Sequence, residues 1–151
     1  MSEQEYEIHV ERHVPAPRTQ VWRAFTQARA FAEWYAPAGW TIDSASLEID
    51  AREGGLYRVC VQKIGDPAES STVTARFTKV TPGALLVTRE TVYGPAGSDG
   101  LELTLVVELA DSSDGTTVSI HEGSFPYGVD ALAQARWEAS LARLASFVHN
   151  H

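Results

Sequence analysis

The adjacent pair His121 and Glu122 is the clearest candidate for acid–base chemistry in this sequence of 151 residues. Because neighbouring residues on a strand point to opposite faces, Glu122 shares a face with Ile120 and points inward, whereas His121 points outward. A carboxylate at the rim of an apolar cavity has a raised pKa and can act as a general base. The more common alternative is a strand-end glutamate that is solvated or paired, with Gln134 and Arg136 as its candidate partners.

The histidines do not predict a metal site. His9 and His13 share one strand face, but four residues at about 3.4 Å per residue place them roughly 13 Å apart, too far for one ion. His149 and His151 lie at the end of the sequence, where chain termini usually fray. We therefore predict no metal and no cofactor.

Other reactive residue types lack the neighbours that their chemistry requires. Cys60 alternates with Val59 and Val61, so it faces away from the predicted pocket and is expected to be an inert thiol. A lone cysteine closes no internal disulfide, which favours a reducing compartment. The pair Gly54-Gly55 belongs to no phosphate-binding motif and predicts a hairpin turn. No serine stands in a G-x-S-x-G context.

The composition excludes several classes of partner. Twelve Lys and Arg residues against twenty Asp and Glu residues give a net charge of −8 and a pI near 5.0. Nucleic acids and anionic membranes both select basic surfaces, so neither is an expected partner. With 44% hydrophobic residues, the chain is typical of a single globular domain spanning residues 1–151. The beginning of the sequence lacks the features of a secretory signal, and no apolar run approaches the ~20 residues of a membrane helix, so we expect a cytoplasmic protein.

The elements that would position Glu122 follow from the spacing of apolar residues. Alternation predicts a strand over residues 5–11. Two short helices follow, the first opening at Pro17 and the second capped by Thr26 and ended by Pro37. The second helix carries three aromatic residues: Phe31, Trp34 and Tyr35.

The middle of the sequence predicts six strands joined by tight turns. Alternating apolar residues mark them at 45–49, 57–61, 73–77, 85–91, 101–109 and 118–122. Turn-forming residues separate them at Gly54-Gly55, Asp66-Pro67, Pro82-Gly83, Gly94 to Gly100 and Asp114-Gly115.

A long helix follows the strands, from Asp130 to Val148. Its apolar residues fall within about 60° of one another at 100° per residue, which makes one buried stripe of Trp137, Leu141, Leu144 and Val148. Consecutive hairpins imply an antiparallel sheet of about seven strands, with the helices segregated from it. The sequence therefore predicts an α+β fold.

A curved antiparallel sheet crossed by one long helix leaves a cavity between the two, and small ligands bind in such cavities. The inward faces of the strands supply residues to both the core and the cavity walls. Large aromatic residues on these faces are therefore candidates for both roles. The predicted ligand-binding residues are Trp34, Trp40, Tyr57, Val59, Phe77, Leu103, Leu105, Ile120, Glu122, Trp137 and Leu141.

Four stretches of the sequence resemble a known family in the same order. They are Val14-Pro15-Ala16-Pro17 with Val21-Trp22, the stretch from Trp34 to Trp40, the hairpin from Asp50 to Gly55 with Tyr57, and the segment from Gly115 to Glu122 with Trp137, Leu141 and Leu144. From about Glu5 to Val148, the sequence resembles the family named after the activator of heat-shock-protein-90 ATPase homologue. The resemblance implies the helix-grip fold of the START and birch-pollen-allergen (SRPBCC) superfamily, and with it a ligand cavity.

Three functions are consistent with these features. The first is binding of a small apolar or aromatic molecule in the cavity, in a stress or transport role. The second is a cyclase, dehydratase or hydrolase that acts on a polyketide-like or aromatic substrate and uses Glu122 as base and Tyr57 as hydrogen-bond donor. The third, which the family name suggests, is a protein-interaction module that acts on a chaperone. A polar dyad inside the cavity would favour the enzyme, a single polar group would favour binding, and an exposed apolar patch would favour the module. A homodimer is a further expectation for a small chain.

Overall fold

The computed structural model describes residues 6–94 and 100–149, and it confirms the predicted α+β helix-grip fold. In chain order the elements are β1 (Tyr6–Val14), α1 (Arg18–Thr26), α2 (Ala28–Phe31), β2 (Trp40–Ile42), β3 (Glu48–Ile49), β4 (Leu56–Lys63), β5 (Asp66–Thr81), β6 (Leu85–Tyr93), β7 (Leu101–Ser112), β8 (Gly115–Phe125) and α3 (Val129–His149).

The strands form one curved antiparallel sheet in which nearly all neighbours are consecutive in the chain. The spatial order is β1-β8-β7-β6-β5-β4-β2, and the short strand β3 also pairs with β4. Strand β1 pairs with β8, so the first and last strands of the sheet are neighbours at one edge. This topology brings inward side chains from strands far apart in sequence onto one concave face.

The core lies between this face and α3. The predicted stripe of Trp137, Leu141, Leu144 and Val148 is buried along its whole length. Helix α3 packs on β1, β8 and α1, and the Gln20 side-chain amide donates to the backbone carbonyl of Val148 over 3.2 Å. The helical spacing of these apolar residues explains why α3 forms one face against the sheet.

The segment after α1 departs from the prediction. Thr26 does not cap the second helix, because its hydroxyl donates to the Trp22 carbonyl over 2.8 Å within α1, and Gln27 is the N-cap of α2. Helix α2 also ends earlier than predicted, at Phe31. Trp34 and Tyr35 lie in the turn that follows, where the Trp34 amide bonds the Phe31 carbonyl over 3.3 Å. Such i to i−3 bonds tighten and end a helix.

The strand predicted at 45–49 is mostly a turn. Asp43 holds that turn, because its carboxylate accepts hydrogen bonds from the Ala45 amide at 3.3 Å and the Ser46 hydroxyl at 3.1 Å. Aspartate side chains commonly compete with strand pairing in this way. Only Glu48–Ile49 remains as β3, and β2 is an additional short strand that the sequence did not predict.

The hairpin glycines have two different roles. Gly54 has a φ of +82°, the left-handed conformation that glycine adopts without strain. A Cβ at Gly55 would instead overlap the backbone carbonyl oxygen of Asp50. Most of the predicted connector at Gly94 to Gly100 lies outside the described residues, as do the side chains of His149 and His151. None of the described helices has the length and apolarity needed to cross a bilayer.

Candidate functional site

A cavity of about 80 Å³ lies between the sheet and α3. Its walls are inward side chains of β4 to β8, such as Val59 and Leu103, together with Trp137 of α3. Its rim includes Leu132, which is 58% exposed, and the exposed Arg136, so it opens at the surface beside α3. We call this space the sheet–helix cavity.

A second, smaller cavity of about 30 Å³ adjoins the first. Trp137 lines both cavities, and the other walls of the second are largely aromatic and aliphatic. We call it the aromatic cavity; it is lined by Phe25, Phe31, Tyr57, Phe77, Leu86, Thr88, Leu105, Val107 and Trp137. The buried hydroxyl of Thr88 has no hydrogen-bond partner among the described residues, so it is available to a ligand there.

Two carboxyl groups meet in the wall of the sheet–helix cavity. Glu90 on β6 is 3% exposed and Glu122 on β8 is 9% exposed, and both line the cavity. In the sheet register Glu90 pairs with Leu103 and Glu122 pairs with Leu105, both on the intervening strand β7. The two glutamate side chains reach towards each other across β7 and form a hydrogen bond.

Such a bond requires a proton on one of the two carboxyl groups. Burial raises the pKa of Glu90 well above its usual value, and the charge of Glu122 and the hydrogen bond to it raise that pKa further. The surroundings of Glu90 therefore favour its protonated form, and Glu122 is the neighbouring carboxyl group that takes part in the bond.

A pair of tyrosines lies beside the carboxyl groups. Burial is the largest cause that raises the pKa of Tyr57, followed by the neighbouring Tyr35 and Glu90. The pKa of Tyr35 is raised first by burial and then by the nearby carboxyl groups of Glu90 and Glu122. The contact between the two tyrosine side chains contributes as well, because it raises the pKa of Tyr57 and lowers that of Tyr35.

Trp137 connects the helix to the carboxyl pair. Its indole Nε1 donates a buried hydrogen bond of 3.0 Å to Oε1 of Glu122. Its ring also meets Tyr35 edge to face, with 5.7 Å between the ring centroids. The loop that carries Tyr35 is held to α3 by the Ser140 hydroxyl, which donates to the Tyr35 carbonyl over 2.8 Å. Helix α3 thus sets the positions of both aromatic side chains in the cavity.

The predicted ligand-binding residues divide into three groups. The sheet–helix cavity is lined by Val59, Leu103, Glu122 and Trp137. The aromatic cavity is lined by Tyr57, Phe77, Leu105 and Trp137. Four of the predicted residues line neither cavity: Trp34, Trp40, Ile120 and Leu141.

These four residues lie elsewhere for identifiable reasons. Ile120 and Leu141 are fully buried in the core. Trp34 is 1% exposed, packs edge to face on Phe25 and donates its indole N–H to the Ala24 carbonyl over 3.0 Å. Trp40 is half-buried at the start of β2, at the edge of the sheet.

The partners of Glu122 differ from those proposed on sequence alone. Gln134 is exposed and does not line either cavity. Arg136 lines the rim of the sheet–helix cavity, but it forms no ion pair with Glu122 among the described residues. Trp137 and Glu90 are the partners instead, so Glu122 is neither a solvated strand-end residue nor one half of a salt bridge.

Sequence reasoning missed Glu90 and Tyr35. Strand β6 has no clean alternation of apolar residues, and polar residues occupy two of its inward positions. The available signal was the two-residue repeat of a strand. Leu86, Thr88 and Glu90 lie two positions apart, so they share the inward face, and all three are buried in the structure. Tyr35 was assigned to a helix that ends before it, which left its direction undetermined.

The outer face of the sheet carries the histidines. His121 stacks on His9 with 4.2 Å between ring centroids, and Glu108 lies 3.6 Å from the His121 ring nitrogen. His13 lies apart, with its ring nitrogen 2.9 Å from the Ser113 carbonyl oxygen. Within residues 6–94 and 100–149, no cluster of three or more His, Cys, Asp or Glu side chains has a geometry that could hold a metal ion.

Comparison with known proteins places this architecture in a family. A family model described as Activator of Hsp90 ATPase homolog 1-like protein matches residues 15–149. A crystal structure of a Chromobacterium violaceum protein superposes with a TM-score of 0.79 at 28% identity, covering 93% of this chain and 95% of that one. A Rhodobacter sphaeroides protein superposes with a TM-score of 0.79 at 19% identity, covering 97% and 98%.

A further solved structure and the curated proteins complete the comparison. DynU16, a protein in the dynemicin biosynthetic locus, superposes with a TM-score of 0.73 at 23% identity, covering 95% of this chain and 47% of that one. Likenesses this low in identity establish the fold alone. A search of the curated proteins finds no match. Because the family model spans nearly the whole sequence, the chain belongs to the Activator of Hsp90 ATPase homolog 1-like protein family.

Proposed function

We propose that this protein binds a small, largely apolar or aromatic molecule in the sheet–helix cavity. The observation that carries the proposal is a surface-opening cavity with apolar walls and a few convergent polar groups. Such a combination is typical of small-molecule sites, where apolar walls supply affinity and the polar groups fix orientation. The fold of this family also commonly binds hydrophobic ligands.

The dimensions favour a ligand with one or two rings. The sheet–helix cavity of about 80 Å³ and the aromatic cavity of about 30 Å³ share Trp137 as a lining residue. A flat ring in the larger cavity would lie among apolar side chains such as Val59 and Leu103. The unpartnered Thr88 hydroxyl offers a second polar contact at the far end.

Binding is tested by calorimetric titration with indole, a flat and uncharged aromatic probe. We expect a dissociation constant in the micromolar range, about −8 kcal/mol. The variant Val59→Trp places a large side chain in the sheet–helix cavity and should weaken binding by at least about tenfold, or 1.4 kcal/mol. Its free energy of unfolding should change little, because the added ring occupies space that is empty in the wild type.

The matched control is Arg58→Trp, one residue earlier on β4. Arg58 is exposed and points to the opposite face, so the same new side chain lies outside the cavity. This variant should bind indole as the wild type does. If the wild type, Val59→Trp and Arg58→Trp bind indole equally well, the indole site lies outside the sheet–helix cavity. If the wild type does not bind indole, the proposed function is refuted.

A second candidate function is proton-transfer catalysis of the cyclase, dehydratase or hydrolase type. The hydrogen-bonded Glu90 and Glu122 carboxyl groups favour it, because they form a polar dyad inside the cavity. Two adjacent carboxyl groups, one of which favours its protonated form, can provide a general acid and a general base side by side. Glu122 is the base in this arrangement, and the neighbouring hydroxyls of Tyr35 and Tyr57 are the candidate hydrogen-bond donors.

The catalytic candidate is tested with 5-nitrobenzisoxazole, a probe that reports carboxylate bases. The base removes the ring C–H proton, the electron pair forms a nitrile as the N–O bond breaks, and a coloured phenolate is released. If Glu122 is the base, Glu122→Gln should lose about 10²-fold or more in rate and still bind indole. The exposed Glu138→Gln on α3 is the control and should keep the rate. Equal rates in wild type and Glu122→Gln would remove the catalytic candidate.

The chaperone-interacting alternative draws no comparable support from the described residues. The large apolar side chains exposed there are Ile64, Tyr93, Tyr127 and Leu132. Each lies on a different strand, turn or helix, so no single element presents an apolar face. Scattered exposed apolar residues are ordinary on protein surfaces.

A further inference from the structure

The sheet–helix cavity combines two acidic side chains with aromatic side chains in one wall. Glu90 and Glu122 are both buried, both line the cavity, and Glu122 accepts a hydrogen bond from Trp137. Among the described residues, no Lys, Arg or His side chain forms an ion pair with either carboxyl group. A buried charge without a cationic partner is unusual, because desolvation makes it costly.

The aromatic neighbours add to the preference for a cation. Tyr35 and Trp137 both line the cavity beside the carboxyl pair, and their rings meet edge to face at 5.7 Å. Aromatic faces are electronegative and attract ammonium groups, most strongly where water is excluded. Carboxylates next to aromatic rings therefore form a site for a protonated nitrogen, while the inward aliphatic side chains suit the rest of such a molecule.

We infer that the ligand of the sheet–helix cavity is a small aromatic amine, bound with its protonated nitrogen between Glu90 and Glu122 and its ring against the apolar strand residues. This inference rests on the proposed function and names the ligand class for the same cavity. It also excludes carboxylates and phosphates of similar size, because a second negative charge beside the pair would be repelled.

Binding in this mode has a defined proton balance. The hydrogen bond between Glu90 and Glu122 requires a proton on one of the two carboxyl groups. The incoming ammonium nitrogen keeps its positive charge and donates N–H bonds to both carboxylates in place of that proton, so the proton is released to solvent when the amine binds. The Tyr35 and Tyr57 hydroxyls stay protonated, since their surroundings raise both of their pKa values.

Arg136 is the basic residue among the described residues that line the cavity, and it favours the opposite charge. It lies at the rim, is exposed to solvent, and is close enough to the Tyr35 hydroxyl to lower its pKa. Water and salt screen an exposed guanidinium far more than the buried carboxyl pair. We therefore expect the pair, rather than Arg136, to set the charge preference. An anionic ligand held by Arg136 is the competing outcome.

Three probes with one skeleton distinguish these outcomes: 2-phenylethylamine, 2-phenylethanol and phenylacetate, titrated by calorimetry at pH 7. The amine should bind at least about tenfold more tightly than the alcohol, and phenylacetate should bind most weakly. Repeating the amine titration in buffers with different ionisation enthalpies should show release of about one proton per amine. These measurements need only the wild-type protein.

Variants assign the preference to the carboxyl pair. Glu90→Gln keeps the shape but removes one acid, so amine affinity should fall at least about tenfold while alcohol affinity stays within about threefold. Glu122→Gln provides the same test if Glu90→Gln does not fold. The control Glu138→Gln, on the exposed side of α3, should keep the preference.

The possible failures are distinguishable. If indole and the alcohol bind but the amine shows no preference and releases no proton, the amine inference is wrong and the proposed function stands. If phenylacetate binds more tightly than the other two probes and Arg136→Gln abolishes its binding, the ligand is anionic and the inference is overturned. Failure of indole and of all three probes to bind would overturn both proposals.

Discussion

The indole nitrogen of Trp137 donates a 3.0 Å hydrogen bond to the carboxylate of Glu122, and this bond joins α3 to β8 within the buried interior. Glu122 also lies beside Glu90 and raises the pKa of that carboxyl group. The same tryptophan ring forms a wall of both cavities. Packing of the helix and orientation of the carboxyl pair therefore depend on a single side chain.

Two substitutions of Trp137 separate its packing from its hydrogen bond. Trp137→Ala should lower the free energy of unfolding by about 3–5 kcal/mol, because a large aromatic ring is lost from the core. Trp137→Phe keeps most of the ring but leaves the Glu122 carboxylate without its N–H donor, and it should cost about 1.5–3 kcal/mol. Urea denaturation monitored by circular dichroism measures both values.

The comparison with a double variant tests whether the hydrogen bond is the cause. In Glu122→Gln the acceptor is neutral, so the additional effect of Trp137→Phe should be smaller than in the wild type. Equal effects of Trp137→Phe in both backgrounds would show that the cost arises from packing alone.

Substitutions in the hairpin should reveal two different constraints. Gly54 has a φ of +82° and open space around it, so Gly54→Val should cost about 1–3 kcal/mol from backbone strain, and Gly54→Asn, which tolerates this conformation, should cost less. At Gly55 a Cβ would meet the Asp50 carbonyl, so Val and Asn should be equally harmful there. Thermal denaturation of the four variants tests this pattern, and a similar tolerance of Asn at both positions would contradict it.

Most of the fold follows from periodicity. Strand β7 places an apolar residue at every second position from Leu101 to Leu109, and α3 carries one stripe from Trp137 to Val148, so tertiary packing and local pattern agree in both elements. The prediction failed where side chains bond the local backbone instead. Asp43 stabilises a turn in place of a strand, and Thr26 bonds within α1 rather than capping α2.

The site was harder to predict than the fold. Glu122 continues an alternating apolar face, so its inward direction followed from parity and agrees with its burial. Glu90 has no such context, because the inward positions beside it in β6 include Thr88, and a polar residue is normally assigned to solvent. Which two carboxyl groups meet depends on the pairing of β6 and β8 across β7, and the sequence of one strand does not contain that register.

The stability of the protein should depend on pH through Glu90. Its folded-state pKa is raised above the unfolded value, mainly by burial, so the folded protein holds a proton that the unfolded chain loses first as pH rises. Stability from this group is complete below the unfolded pKa of about 4.3 and declines as pH rises towards the folded pKa. Glu90→Gln removes the ionisation, so its stability relative to the wild type should increase from pH 5 to pH 9.

Urea denaturation at pH 5, 7 and 9 measures this difference. The control Glu138→Gln removes an exposed carboxylate from α3, and its stability relative to the wild type should vary little over the same range. A difference between Glu90→Gln and wild type that is constant with pH would mean that Glu90 ionises in the folded protein as readily as in the unfolded chain.

Core and cavity residues should separate in a paired experiment on Trp34 and Val59. Trp34 is 1% exposed, packs on Phe25 and bonds the Ala24 carbonyl, so Trp34→Phe should cost about 1–3 kcal/mol in unfolding free energy and leave indole affinity within about threefold. Val59→Trp should do the reverse, with indole binding lost and stability nearly retained, since Val59 borders empty space whereas Trp34 borders other side chains. Calorimetry measures the indole affinity of each variant, and urea denaturation measures its free energy of unfolding. Loss of indole binding in Trp34→Phe with unchanged stability would place Trp34 in the ligand site, as the sequence had predicted, and would contradict the assignment made from the structure.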